Sequence, residues 1–132
     1  MVVIVPVFDD WESLVRLYDD LSEAMVSSRW QHEWELLAIN DSPHLPPLTP
    51  SGERVFENRP NLYEIRLARN VGHQRAIAIG LALAARSDSV EYCVVMDGDG
   101  EDAAADAVKL LTRCRHGEGR VTVFAERTKR SE

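Results

Sequence analysis

Short apolar runs recur along the chain, and longer stretches with apolar residues three or four positions apart lie between them. The runs are nearly continuous in valine, isoleucine and leucine, a pattern typical of strands buried in a parallel sheet. The spaced stretches are typical of helices that pack one face against such a sheet. We predict strands at residues 2–7, 34–39, 62–67, 90–96 and 121–125.

Signals for helix starts and ends agree with this alternation. Asp9 or Asp10 stands as an N-cap directly before the first helical stretch, and Gly117 and Gly119 follow the last one. Because strands and helices alternate, the sequence predicts an α/β fold, with a Rossmann-like, mostly parallel sheet of about five strands and helices on both faces. We predict long helices at residues 11–28, from 70 onward and at 103–115, and a short one at 53–57.

Length and charge narrow the class of protein. The 132 residues fit one domain that is large enough to bury a core. The net charge of −7 argues against nucleic acid as a partner and against an anionic membrane surface. The first residues do not read as a signal peptide, and no apolar run is long enough to span a membrane. We therefore expect a cytoplasmic protein.

Polar residues follow every predicted strand at the point where it ends. The carboxyl ends of parallel strands lie at one edge of a sheet and form the usual ligand crevice of α/β proteins. We therefore expect these side chains to line a single rim. In chain order they are Asp9, Asp10, Asn40, Asp41, Arg69, Asn70, Asp97, Asp99 and Arg127.

The sequence Asp97-Gly98-Asp99 is the strongest chemical signal on this rim. Two carboxylates this close, with no basic neighbour in the sequence, repel each other unless a cation lies between them. Carboxylate oxygens suit Mg²⁺ or Mn²⁺, which commonly bridges to the phosphates of a substrate. The same residue types also suit a polar turn between a strand and a helix, so the spacing alone leaves both interpretations open.

Two other nucleotide- or phosphate-handling folds fit the sequence less well. A phosphorelay receiver domain needs an aspartate after its third strand, where this chain reads Leu67-Ala68-Arg69, and a lysine-proline turn after its fifth. A dinucleotide-binding domain needs a glycine-rich turn after its first strand. That position reads Pro-Val-Phe-Asp-Asp at residues 6–10.

Five short motifs stand at the strand ends in order. Residues 69–76 read Arg-Asn-Val-Gly-His-Gln-Arg-Ala, and residues 96–102 read Met-Asp-Gly-Asp-Gly-Glu-Asp. Together with residues 3–10, 40–42 and 126–130, they resemble the motifs of the family 2 glycosyltransferases with the GT-A fold. The chain most resembles the branch that transfers sugar to a polyprenyl phosphate and that is similar to dolichol-phosphate mannose synthase. The resemblance covers only the N-terminal, nucleotide-binding half of such an enzyme.

The resemblance implies that the rim binds a nucleotide diphosphate sugar, linked to UDP or GDP. Pro6, Phe8 and Asp10 would line the pocket for the base and the ribose, and Asp41 would hydrogen-bond the nucleobase. Three residues between the third strand and the following helix would lie near the nucleotide, and they are Arg69, Asn70 and Gly72.

The resemblance also implies the catalytic residues. Asp97 and Asp99 would form the Asp-x-Asp metal motif, with Asp99 binding Mg²⁺ or Mn²⁺ and Asp97 approaching the metal or the ribose. Arg127 would face the diphosphate or the phosphate of the acceptor. The acceptor would be a lipid phosphate, which would place a full-length enzyme at the cytoplasmic face of a membrane.

Three positions depart from the family pattern. Asn40 replaces the first aspartate of the pair after the second strand, and Glu101 stands where the related branch usually has glutamine. Ala103-Ala104 replaces two prolines at the start of the last helix. The asparagine bears on contacts with the base. The extra carboxylate of Glu101 is open to two interpretations: it tightens metal binding, or it lies at the helix N-terminus, where it suits the positive end of the dipole.

The family pattern continues well past Arg130, and that continuation carries the acceptor contacts. We therefore expect residues 1–132 to form a single nucleotide-sugar-binding domain without the acceptor-binding half. The alternative is a noncatalytic nucleotide-binding module or an inactive fragment. An uncovered sheet edge favours association, so we also predict a homo-oligomer, and sedimentation that shows only monomer at high concentration would contradict it.

Overall fold

The fold is seen in a computed structural model that describes residues 1–119 and 121–125. Strands and helices alternate along these residues, as the apolar pattern predicts. Within them lie four strands and three helices: β1 (Val2–Val7), α1 (Trp11–Ser27), β2 (Glu35–Asn40), β3 (Leu62–Arg66), α2 (His73–Ala85), β4 (Cys93–Val95) and α3 (Ala104–His116).

The four strands form one sheet in the order β3-β2-β1-β4, and every pair is parallel. Val2 at the start of β1 lies opposite Glu35 of β2 and Cys93 of β4. All four strands therefore run the same way, and their carboxyl ends lie at one edge. This confirms the predicted α/β class and the predicted mostly parallel sheet.

Helices cover both faces of the sheet, as predicted. On one face, β1 contributes Val3, Val5 and Val7 to a core that includes the buried apolar residues of α1 and α3. On the other face, Ile4 packs with residues of α2. A Cβ atom added to Gly80 of α2 would lie 2.5 Å from Cγ2 of Ile4, so only glycine lets this helix approach the sheet so closely.

Four predicted elements differ clearly from the structure, and one is the fourth strand, which covers only Cys93–Val95 of the predicted residues 90–96. Residues 121–125 pair with no strand among the described residues, and Phe124 is 85% exposed, so the predicted fifth strand is wrong. The predicted short helix at 53–57 is absent: the Thr49 N–H donates to the Glu53 carbonyl, the Thr49 hydroxyl accepts from the Glu53 N–H, and a turn follows in which the Glu57 N–H donates to the Arg54 carbonyl. The second long helix begins at His73 rather than at residue 70.

No helix in the part of the chain that the structure covers is both long and apolar enough to cross a bilayer.

Candidate functional site

Two adjoining cavities open at the carboxyl edge of the sheet, above the end of β1. Their volumes are about 190 Å³ and about 240 Å³. Both are lined by Pro6, Val7, Phe8 and His73, so they form two halves of one cleft. The predicted rim is therefore a real concave surface, and it lies where ligands bind in parallel α/β sheets.

Pro6 stands in β1 without breaking the sheet. Alternate residues of β1 turn their backbone groups toward β4: the Val2 N–H donates to the carbonyl of Tyr92 at 2.9 Å, and the carbonyl of Ile4 accepts from the Met96 N–H at 3.0 Å. Pro6 is the next residue in this alternation, and the pairing with β4 ends opposite Ile4. Its missing N–H therefore faces the cleft, where no strand needs it.

The smaller half of the cleft, which we call the acidic cavity, collects three predicted carboxylates. Asp10, Asp97 and Asp99 line it together with Gly98. A Cβ atom on Gly98 would lie 3.1 Å from Cγ1 of Val5, so glycine lets the loop after β4 lie against β1. Three carboxylates and one histidine therefore give this small cavity its polar lining.

Local hydrogen bonds shape the loop after β4. The Asp97 N–H donates to Oδ2 of Asp102 at 2.9 Å, and Oδ1 of Asp99 accepts from the Glu101 N–H at 2.9 Å. Oδ1 of Asp97 lies 3.2 Å from Nε2 of His73, which joins this loop to the start of α2. Each of the two carboxylates is thus held at the cavity by a contact of its Oδ1 atom.

Asp10 serves the fold as well as the cavity. Its Oδ1 accepts a hydrogen bond from the Ser13 N–H at 3.2 Å, which confirms the predicted N-cap of α1. The residue before it, Asp9, has a positive φ of 56° and donates its N–H to the Ser42 hydroxyl at 3.1 Å. The loop that carries Phe8 and Asp10 is thereby tied to the end of β2.

The larger half of the cleft, the neighbouring cavity, is lined by Asp41, Asn70 and Gly72 in addition to the shared residues. Asp41 is only 4% exposed. Its Oδ1 accepts from the Val71 N–H at 2.7 Å and its Oδ2 from the Gly72 N–H at 2.9 Å. The carboxylate thus binds the backbone just before α2.

Asn40, which replaces a family aspartate, is fully buried and lines neither cavity. Its Nδ2 donates to Oε1 of Glu64 at 2.8 Å, and its Oδ1 accepts from the backbone N–H and the hydroxyl of Ser42, both at 2.9 Å. An aspartate here would place a second carboxylate against Glu64. Asparagine at position 40 is therefore matched to Glu64 on β3.

We expect Asn40→Asp to lower the free energy of unfolding by about 2 kcal/mol at neutral pH, because it removes a buried donor and sets like charges together. Urea unfolding measures this loss. The double variant Asn40→Asp with Glu64→Gln restores a donor opposite the new carboxylate and should regain most of the stability. A single variant as stable as the wild type would contradict the matched pair.

Most predicted site residues in the described part of the chain lie together in this cleft. Arg69 is exposed and lines neither cavity, and Arg127 lies outside the described residues. His73 lines both cavities, although its sequence position suggested only a polar helix start. The signal that could have found it is its place directly after Gly72, where a helix start meets the sheet edge. The predicted residues in the cleft are Pro6, Phe8, Asp10, Asp41, Asn70, Gly72, Asp97 and Asp99.

The sequence of the chain is similar to those of known glycosyltransferases. The chain is 29% identical over 128 residues to an uncharacterized glycosyltransferase, YkcC, of Bacillus subtilis (strain 168), a match that covers 97% of this chain and 37% of the relative. It is 26% identical over 116 residues to a dodecaprenyl-phosphate galacturonate synthase of Rhizobium johnstonii, covering 88% of this chain and 32% of that protein.

The chain thus spans about a third of the length of these two curated relatives. The sequence pattern of one family, described as "Glycosyl transferase family 2", matches residues 2–129 and so includes every strand and helix of the structure. The cleft at the carboxyl edge of the sheet lies inside this matched region. The chain belongs to glycosyl transferase family 2.

Proposed function

We propose that this domain binds the donor of a metal-dependent glycosyltransferase, a sugar linked to UDP or GDP. The observation that carries the proposal is the acidic cavity, in which Asp10, Asp97 and Asp99 lie beside the exposed ring of Phe8. A nucleotide diphosphate offers an aromatic base for the ring, and its phosphates suit a cation held by carboxylates. Membership in family 2 supports the same function.

The residues of the cavity fit a divalent metal of the magnesium type. No group of three His, Cys, Asp or Glu side chains close enough to hold a metal occurs within residues 1–119 and 121–125. Mg²⁺ does not need such a group, because it usually keeps several waters and binds one or two carboxylates together with substrate phosphates. We propose that Asp97 and Asp99 supply these carboxylates.

The residues of the cleft then divide the binding of the donor. Bound Mg²⁺ or Mn²⁺ would neutralise the charge that develops on the departing nucleoside diphosphate. Phe8 and Pro6 would flank the base and the ribose, and Asp10 would accept from the ribose hydroxyls. Asp41 would contact the base from the neighbouring cavity. The acceptor oxygen forms a bond to the anomeric carbon as the bond from that carbon to the diphosphate breaks.

We further propose that the acceptor of the full-length protein is a polyprenyl phosphate. One relative is named a dodecaprenyl-phosphate galacturonate synthase, and the motifs resemble the same branch. A phosphate acceptor is already anionic, so positioning contributes more than a general base. Transfer of label from a nucleotide sugar into an extractable lipid by the full-length protein tests this, and label that stays in water would contradict it.

The donor proposal is tested by titrating the folded domain with UDP, GDP and ADP in the presence of Mn²⁺, with heat as the readout. We expect UDP or GDP to bind more tightly than ADP, because a donor site reads the base as well as the diphosphate. Equal, weak binding of all three would contradict a donor site.

A further inference from the structure

Asp41 is held rigidly at the point where β2 ends. Its N–H donates to the carbonyl of Val7 at 2.8 Å, which continues the pairing with β1, and the residue is buried. A buried carboxylate is costly unless its charge is satisfied by hydrogen bonds. The bonds from Val71 and Gly72, at 2.7 and 2.9 Å, satisfy one lone pair on each oxygen.

The loop between β3 and α2 depends on this carboxylate for its shape. The side chain of Asn70 donates to the backbone carbonyl of Asp41 at 3.1 Å, so three hydrogen bonds join the loop to one residue. Gly72 is the N-cap of α2, with a φ of 89° and a ψ of 155°. Because glycine has no side chain, it makes no side-chain capping hydrogen bond to the helix. The N–H groups of Val71 and Gly72 precede the first turn of α2 and have no partner within the helix.

The same loop fixes where His73 enters the cleft. His73 is the first residue of α2 and follows directly on the clamped Gly72, and its Nε2 contacts Asp97 at 3.2 Å. A continuous chain of contacts therefore crosses the cleft, from the end of β2 through Gly72 and His73 to Asp97 after β4. A shift of Gly72 would move the histidine that touches one of the two carboxylates of the metal motif.

We propose that Asp41 is a positioning residue that clamps the loop before α2. The clamp thereby sets His73 against Asp97 in the acidic cavity, where the proposed donor would place its diphosphate. This role is separate from the proposed contact with the base, for which the remaining lone pairs of the carboxylate suffice. The clamp itself rests on the fold, and only its effect on ligand binding rests on the proposed donor site.

The clamp is tested with Asp41→Asn and Asp41→Ala by two readouts: amide hydrogen exchange at Val71 and Gly72, and affinity for inorganic pyrophosphate with Mn²⁺. Asparagine keeps one acceptor and alanine keeps none. Since each hydrogen bond to a carboxylate is a strong one, we expect exchange at these amides to quicken by at least about tenfold in the alanine variant, and by less in the asparagine variant. Pyrophosphate affinity should fall in the same order.

The control is Leu21→Met on α1, a mild change in the core on the face of the sheet opposite α2 and the loop before it. It should lower overall stability slightly and leave both amides and the pyrophosphate affinity at wild-type values. Unchanged exchange at Val71 and Gly72 in both Asp41 variants would overturn the clamp. Loss of nucleotide affinity with full pyrophosphate affinity would overturn the positioning role, because it would assign Asp41 to the base alone.

The two proposals fail in different ways. If the wild-type domain binds no pyrophosphate but the amides of Asp41→Ala still exchange faster, the clamp stands and the donor site is contradicted. If the alanine variant does not fold, the asparagine variant carries the test, because it retains one of the two hydrogen bonds.

Discussion

Asp99→Asn is expected to reduce Mn²⁺-dependent affinity for a nucleoside diphosphate by at least about tenfold. Even residues that only hydrogen-bond the metal ligands lower metal affinity by about 10- to 100-fold when they are mutated. Affinity measured without metal should not fall, because the amide removes a charge that repels the phosphates. The amide keeps the size of the side chain and its hydrogen bond to the Glu101 N–H, so the loop should retain its shape. Calorimetric titration in Mn²⁺ and in EDTA measures both quantities.

Asp97→Asn should have a similar effect, since Asp97 lines the same cavity. The matched control is Asp106→Asn on α3, which removes the same charge from a carboxylate that is paired with Lys109 at 2.7 Å and lines neither cavity. It should leave the metal dependence unchanged. Wild-type metal dependence in both Asp97→Asn and Asp99→Asn would move the metal out of the acidic cavity.

Phe8→Ala should weaken nucleotide binding by about tenfold, because stacking of one base on an aromatic ring contributes about 1–3 kcal/mol. Phe8 lines both cavities and is 66% exposed, so the ring does little for the core and the unfolding free energy should change little. Pyrophosphate lacks a base, and its affinity should stay near the wild-type value. Calorimetry with the nucleotide and with pyrophosphate separates the two effects.

The control for this variant is Phe124→Ala. Phe124 is 85% exposed and lines neither cavity, so its removal should not affect nucleotide affinity. Equal losses of nucleotide affinity in both variants would mean that any exposed aromatic ring contributes to nonspecific binding of the nucleotide. Full nucleotide affinity in Phe8→Ala would place the base away from this ring.

Elements that depend only on residues within or next to them could be predicted from the sequence. Val2–Val7 is a β-branched run interrupted only by Pro6, and β1 has the predicted bounds. Asp10 caps α1 because a carboxylate before a helix satisfies an orphan N–H wherever the helix later packs. Parallel topology then brings the strand ends to one edge, so Asp10, Asp41, Asp97 and Asp99 meet in the cleft.

The elements that depend on distant partners could not be predicted. Residues 121–125 have the composition of a strand, but a strand forms only where a neighbour pairs with it. Asn40 owes its role to Glu64, 24 positions away, and Asp41 owes its role to Val71 and Gly72, 30 and 31 positions away. His73 contacts Asp97, at 3.2 Å, only because the fold brings the start of α2 to the loop after β4.

The central claim is that the acidic cavity binds a nucleoside diphosphate through a divalent metal. The most direct measurement is the affinity of the folded wild-type domain for UDP and GDP, titrated once with Mn²⁺ and once with EDTA. We expect at least one of them to bind about tenfold or more tightly with Mn²⁺, since the metal would offset the repulsion between carboxylates and phosphates. Equal affinities with and without metal for both nucleotides would contradict it.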